Sequence, residues 1–121
     1  MATKDKDNTV KVGDPTMGNV FVPPDLTITA GTSVHWVNPA QGPQNPHPHA
    51  HTVTSNGYPG SNFPCTPSST ENFDSGEMDP GDPDTGTFDH TFNTTGIFGY
   101  HCEIHGCDMK GTIKVIETTV S

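Results

Sequence analysis

Short runs of alternating apolar and polar residues punctuate the chain, each closed by glycine, proline or asparagine. Alternation places every second side chain on the same face of an extended segment, so such runs predict half-buried strands. Thr9-Val-Lys-Val12 and Asn19-Val-Phe-Val22 predict the first two, separated by Gly13-Asp14-Pro15. Asp25-Leu-Thr-Ile-Thr29 predicts a third, and Ala30-Gly31-Thr32 turns the chain into Ser33-Val-His-Trp-Val-Asn38. There Val34 and Trp36 share a face, and Trp36 reads as a core residue. Thr87-Phe-Asp-His-Thr-Phe92, the turn Asn93-Thr-Thr-Gly96, Ile97-Phe-Gly-Tyr-His-Cys102 and Gly111-Thr-Ile-Lys-Val-Ile-Glu117 extend the series to the C-terminal end. Phe98, Tyr100 and Cys102 alternate on one face, so Cys102 points inward and His101 the other way. No segment keeps a helical period, and none approaches the roughly 18 apolar residues of a membrane span. Seven to eight short strands without a repeat predict an all-β Greek-key β-sandwich.

Between Pro39 and Asp84 the texture changes: nine of the twelve prolines and Cys65 fall there, and only His51-Thr-Val-Thr54 reads as a strand. A loop this long inside a compact domain is uncommon and tends to be functional. The 121 residues are expected to form a single domain, with its core over about 9–117 and a long inserted loop over about 55–85. Proline stiffening predicts that the insertion is ordered.

Charge narrows the range of partners. The net charge is −9, with five lysines and no arginine, and seven of the fourteen acids lie between Glu71 and Asp89. Phosphate contacts need a basic face, so nucleic-acid binding is excluded. The acidic run is either a steering surface for a redox protein with a basic docking face or a solvated loop that keeps the protein soluble.

The chemistry concentrates in Tyr100-His-Cys-Glu-Ile-His-Gly-Cys-Asp-Met-Lys-Gly111, where Cys102, His105 and Met109 are spaced as ligands of one metal ion. A thiolate, an imidazole and a thioether are a soft set that favours copper over magnesium, calcium or manganese. So short a loop fills only part of a coordination shell, and His51 in Ala50-His-Thr-Val53 is placed to complete it. With Cys102 on a metal, Cys65 and Cys107 remain either as a disulfide or as two free thiols. The disulfide would place the protein outside the cytoplasm: periplasmic, otherwise extracytoplasmic, or secreted. The first twelve residues are polar and hold no apolar signal core, as in a mature chain whose signal has been removed.

Phe21-Val-Pro23, Gly31-Thr-Ser-Val-His-Trp-Val-Asn38, His51-Thr-Val53, Phe73-Asp-Ser-Gly76, Phe88-Asp-His-Thr-Phe92, Gly96-Ile-Phe-Gly-Tyr-His-Cys102, His105 and Met109-Lys-Gly111 occur in that order. In this the chain resembles the cupredoxins of the plastocyanin, halocyanin and pseudoazurin kind over roughly residues 19–117. The resemblance implies an eight-stranded sandwich and one type 1 copper held by His51, Cys102, His105 and an axial Met109. It further implies single-electron transfer between redox proteins, with His105 near the surface as the electron route. One departure bears on function: three residues, Gly106, Cys107 and Asp108, separate His105 from Met109, where plastocyanin-like loops have four and amicyanin-like loops two. If Cys107 is drawn into a disulfide, water could take the axial position. The alternative is therefore a copper oxidoreductase that binds and oxidises a small molecule such as nitric oxide to nitrite. A third reading is copper storage or delivery through the His47–His51 run. His47, His49 and His101 read as solvent-exposed rather than as ligands of a second metal, and His35 and His90 as outward or hydrogen-bonded residues.

Overall fold

The computed structural model describes residues 8–14, 18–39, 50–59, 65 and 71–117. Eight strands form in them: β1 (Thr9–Asp14), β2 (Gly18–Val22), β3 (Asp25–Thr29), β4 (Thr32–Val37), β5 (Thr54–Ser55), β6 (Thr87–Phe92), β7 (Gly96–Cys102) and β8 (Gly106–Ile116). No α-helix occurs among the described residues. Two four-stranded sheets result, ordered β2-β1-β4-β6 and β3-β8-β7-β5. β1 runs parallel to β4 and β3 parallel to β8, whereas β4–β6 and β7–β8 are antiparallel. The fold is the all-β sandwich that the alternation predicts.

The inward side chains of the alternating runs meet between the sheets. Trp36 is fully buried, and around it lie Tyr100 with ring centroids 5.4 Å away, Phe88 at 5.7 Å, Phe73 at 6.0 Å and Phe92 at 6.3 Å. Rings at these separations add edge and offset contacts to the burial of their area. Tyr100 pairs across the sheet with Gly111, where a Cβ would stand 2.4 Å from the phenol oxygen, so glycine makes room for the ring. Burial pushes the Tyr100 phenol above its ordinary range, with a smaller opposing influence from the Trp36 indole. Among the described residues neither the phenol oxygen nor the indole nitrogen has a hydrogen bond of ordinary geometry, although both are buried and the indole lies near enough to influence the phenol.

Two boundaries differ from the sequence reading. The strand expected at His51–Thr54 is regular only at Thr54–Ser55, with an isolated bridge at His51. The closing strand expected from Gly111 begins instead at Gly106. Its pairing with β7 jumps from His101–Lys110 to Cys102–Gly106, which leaves Cys107, Asp108 and Met109 as a bulge without partners on β7. A bulge breaks the alternation by which a strand is read in sequence.

The described part of the inserted loop joins the fold. Residues 73–78 run antiparallel to residues 51–55: His51 and Met78 exchange backbone hydrogen bonds of 3.2 and 2.7 Å, Ser75 N–H donates to Val53 O, and Ser55 N–H donates to Phe73 O. Phe73 and Met78 are core residues. Cys65 and Cys107 form a disulfide, Cα–Cα 5.7 Å, that ties the insertion to the β8 bulge. Farther along, Asp82 accepts the backbone N–H groups of Thr85 and Asp84, which hold its carboxyl below the usual carboxylate range.

Candidate metal centre

Three donors converge at one end of the sandwich. Cys102 closes β7 and is fully buried, His51 precedes β5 and is 2% exposed, and His105 lies half-buried in the turn between β7 and β8. Their ligand atoms all lie within 4.8 Å of one another. Cys102 Sγ is 3.9 Å from His51 Nδ1 and 3.5 Å from His105 Nδ1. A metal about 2.3 Å from sulfur and about 2.0 Å from nitrogen, with about 120° between them, would set them about 3.7 Å apart. The two observed sulfur–nitrogen separations bracket that value, which suits one ion beside the sulfur; the two imidazole nitrogens, within 4.8 Å of each other, would stand about 3.5 Å apart on that ion. Among the described residues this is the one such group of histidine, cysteine and acidic side chains.

Each donor is held by backbone. His51 is fixed by its paired bonds with Met78, whose carbonyl also accepts from Asn38 Nδ2 at 2.9 Å. Thr52 N–H donates to Cys102 Sγ at 3.4 Å, and Thr52 Oγ1 accepts Glu103 N–H at 2.8 Å. The residue after one donor is thus bonded both to the cysteine and to the residue after it. The β7–β8 turn closes at Gly106, whose φ of 76° is a left-handed conformation that glycine adopts without a Cβ clash. Met109 is buried within the bulge of β8, while Ile104, beside His105, is 49% exposed.

The other histidines divide. His101 is fully buried, contrary to the exposed position expected for it. Its ring does point away from the Cys102 face, but that side of β7 is covered: Nδ1 lies 2.7 Å from Asn56 Oδ1, and Nε2 contacts Glu103 Oε2. His35 is outward and pairs with Asp89. His90 lies tilted against Phe73 and edge-on to Phe92, with ring centroids 4.8 Å from each and Nε2 3.6 Å from Glu71. His47 and His49 lie outside the described residues. Sequence reading missed the roles of Thr52, Asn56, Glu103 and Met78. Asn56-Gly57 is legible as a turn signal, but nothing in the sequence marks Asn56 as the partner of His101.

The profile for copper binding proteins of the plastocyanin/azurin family matches residues 7–116. A plastocyanin of Scenedesmus fuscus is 39% identical over 110 residues, covering 90% of this chain and 99% of that protein. Among solved structures, a purple cupredoxin from Nitrosopumilus maritimus superposes with a TM-score of 0.62 at 22% identity, covering 89% of this chain and 98% of that one. A copper-containing nitrite reductase from Thermus scotoductus SA-01 also superposes with a TM-score of 0.62, at 25% identity and over 92% of this chain. The chain spans only 22% of the length of that reductase.

Proposed function

The chain belongs to the plastocyanin/azurin family of copper-binding proteins, and from that premise we propose that it carries single electrons between redox proteins. We assign His51, Cys102 and His105 as the copper ligands and Met109 as the axial one. The observation that carries the assignment is the convergence of one buried sulfur and two imidazole nitrogens at separations that suit a single ion. Copper bound there supplies a one-electron couple between Cu(II) and Cu(I), for which thiolate, imidazole and thioether are the suited donors.

The chain's own residues supply the constancy that a carrier needs. Burial of Cys102, His51 and Met109 excludes water from the donors. Thr52 N–H, aimed at Sγ, offsets negative charge on the sulfur. Of the four, His105 alone is not buried, and with exposed Ile104 it marks the end at which a partner meets the site. The partner is a redox protein, and the acidic residues between Glu71 and Asp89 favour one with a basic docking face. The disulfide supports an extracytoplasmic location.

The visible spectrum of the copper-loaded protein tests this reading. We expect an intense thiolate-to-copper charge-transfer band that Cys102→Ser abolishes and Met109→Leu shifts. A band that survives Cys102→Ser rejects the site, and one that ignores Met109→Leu removes Met109 from it. Azide or nitric oxide should leave the spectrum unchanged in a carrier and alter it in an oxidoreductase with an open axial position.

A further inference from the structure

We propose that Gly13 is a positioning residue for His51, presenting bare backbone to the imidazole so that Nδ1 is held toward the Cys102 sulfur. The inference rests on the assignment of His51 as a copper ligand. Gly13 is buried near the end of β1, with a φ of 87°, where the β1–β2 register shifts between Val12 and Asp14. A Cβ at this position would stand 2.8 Å from His51 Nε2 and 3.2 Å from Cδ2. Ordinary contacts begin near 3.4 Å, so the ring or the strand would have to yield by about 0.6 Å.

The direction of that push gives it functional weight. It falls on Nε2, across the ring from Nδ1, the atom 3.9 Å from Sγ. An aromatic ring is rigid, so displacement at one nitrogen is carried to the other. Ligand distances at a metal tolerate about ±0.2 Å, a third of the movement required. Sideways escape is restricted as well. His51 is 2% exposed, its backbone is bonded in both directions to Met78, and the His105 ring lies 4.9 Å away. Glycine at 13 is therefore set by the ring as well as by the backbone.

The molecule holds its own control. Gly31 has a φ of 93°, yet a Cβ there would meet nothing within 4 Å. Gly31→Ala thus carries the backbone penalty of a left-handed alanine without touching the site. Wild type, Gly13→Ala and Gly31→Ala would be loaded with copper and compared by visible absorption, electron paramagnetic resonance and copper affinity. We expect Gly31→Ala to keep the wild-type spectrum and affinity. Gly13→Ala should alter the spectrum and bind copper about 10-fold or more weakly, as when a group supporting a ligand is lost. A wild-type spectrum and affinity in Gly13→Ala overturn the proposal. An absent charge-transfer band in the wild type would instead overturn the copper assignment.

The contact itself is tested without metal. In the copper-free protein, the loss of unfolding midpoint from Gly13→Ala should exceed that from Gly31→Ala, and the excess should vanish in a His51→Ala background. If Gly13→Ala does not fold alone, His51→Ala should restore folding. An excess that persists, or folding that is not restored, overturns the proposal.

Discussion

Removing the Cys65–Cys107 disulfide should cost the copper-free protein about 4 kcal/mol of stability. The two cysteines are 42 residues apart, and the loop-closure entropy released to the unfolded chain by a loop of that length corresponds to about 4 kcal/mol at 25 °C. Total stabilities of single domains run at about 5–15 kcal/mol, so one bond would supply a large fraction. For a chain of 121 residues the loss corresponds to a fall of roughly 15 °C in Tm. Urea unfolding of wild type and the Cys65→Ser/Cys107→Ser variant, followed by the fluorescence of Trp36, measures it. The single tryptophan sits fully buried in the core and reports global unfolding. A loss below about 1 kcal/mol would refute the chain-entropy reasoning. The copper-loaded variant answers a separate question, because Cys107 lies in the same bulge as Met109. If the bond acts only on the unfolded chain, the visible spectrum stays as in wild type. A changed spectrum would show that the bond also sets the bulge.

Tyr100→Phe removes a buried hydroxyl that has no hydrogen bond of ordinary geometry among the described residues, so stability near neutral pH should hold or rise by about 1 kcal/mol. Burial raises the folded-state pKa of Tyr100, while the unfolded chain releases the proton near the ordinary value of about 10. Wild type should therefore lose stability as pH climbs past about 10, and Tyr100→Phe should lose less, as read from urea midpoints across that range. Asn56→Ala takes an acceptor from the buried His101 ring and should cost about 1–3 kcal/mol in the same assay. No loss would mean that the contact is not a net stabilising one.

The strands were legible where burial is one-sided. β3, β4 and β6 lie within a residue of the alternating runs, because their polar residues face outward and their apolar residues face the Trp36 core; β7 does so too, although its second face is covered at His101. The donors were legible for a related reason: Cys102 extends the inward series Phe98–Tyr100, and His105 is fixed by a short turn. What the sequence concealed is contact made at a distance. Alternation places His101 on the face opposite Cys102, but whether that face is wet depends on Asn56, 45 residues away. The pairing of residues 73–78 with the His51 segment was hidden for the same reason. Its hydrogen bonds are made by backbone, and every residue type carries them. Gly13 reads as turn punctuation before Pro15, and only the structure shows the imidazole lying against it.

Rigidity at the metal end follows from how few parts are shared among the ties. His51 and Thr52 are neighbours in sequence, as are Cys102 and Glu103, and Thr52 bonds to both members of the second pair. Moving His51 relative to Cys102 therefore strains the contact to sulfur and the contact to Glu103 together. His51 is also pinned to Met78, and Met78 to Asn38, which follows β4. Cys102, in turn, is paired with Gly106, which ends the turn carrying His105. His51 and Cys102 are thus tied to the sheets and to each other through the backbone of Met78, Thr52 and Gly106 and through the Thr52 hydroxyl. Bonds of this kind bring His51 and Cys102 together without help from a metal. Such ties favour a small change in the surrounding atoms when copper, bound as proposed, changes its oxidation state.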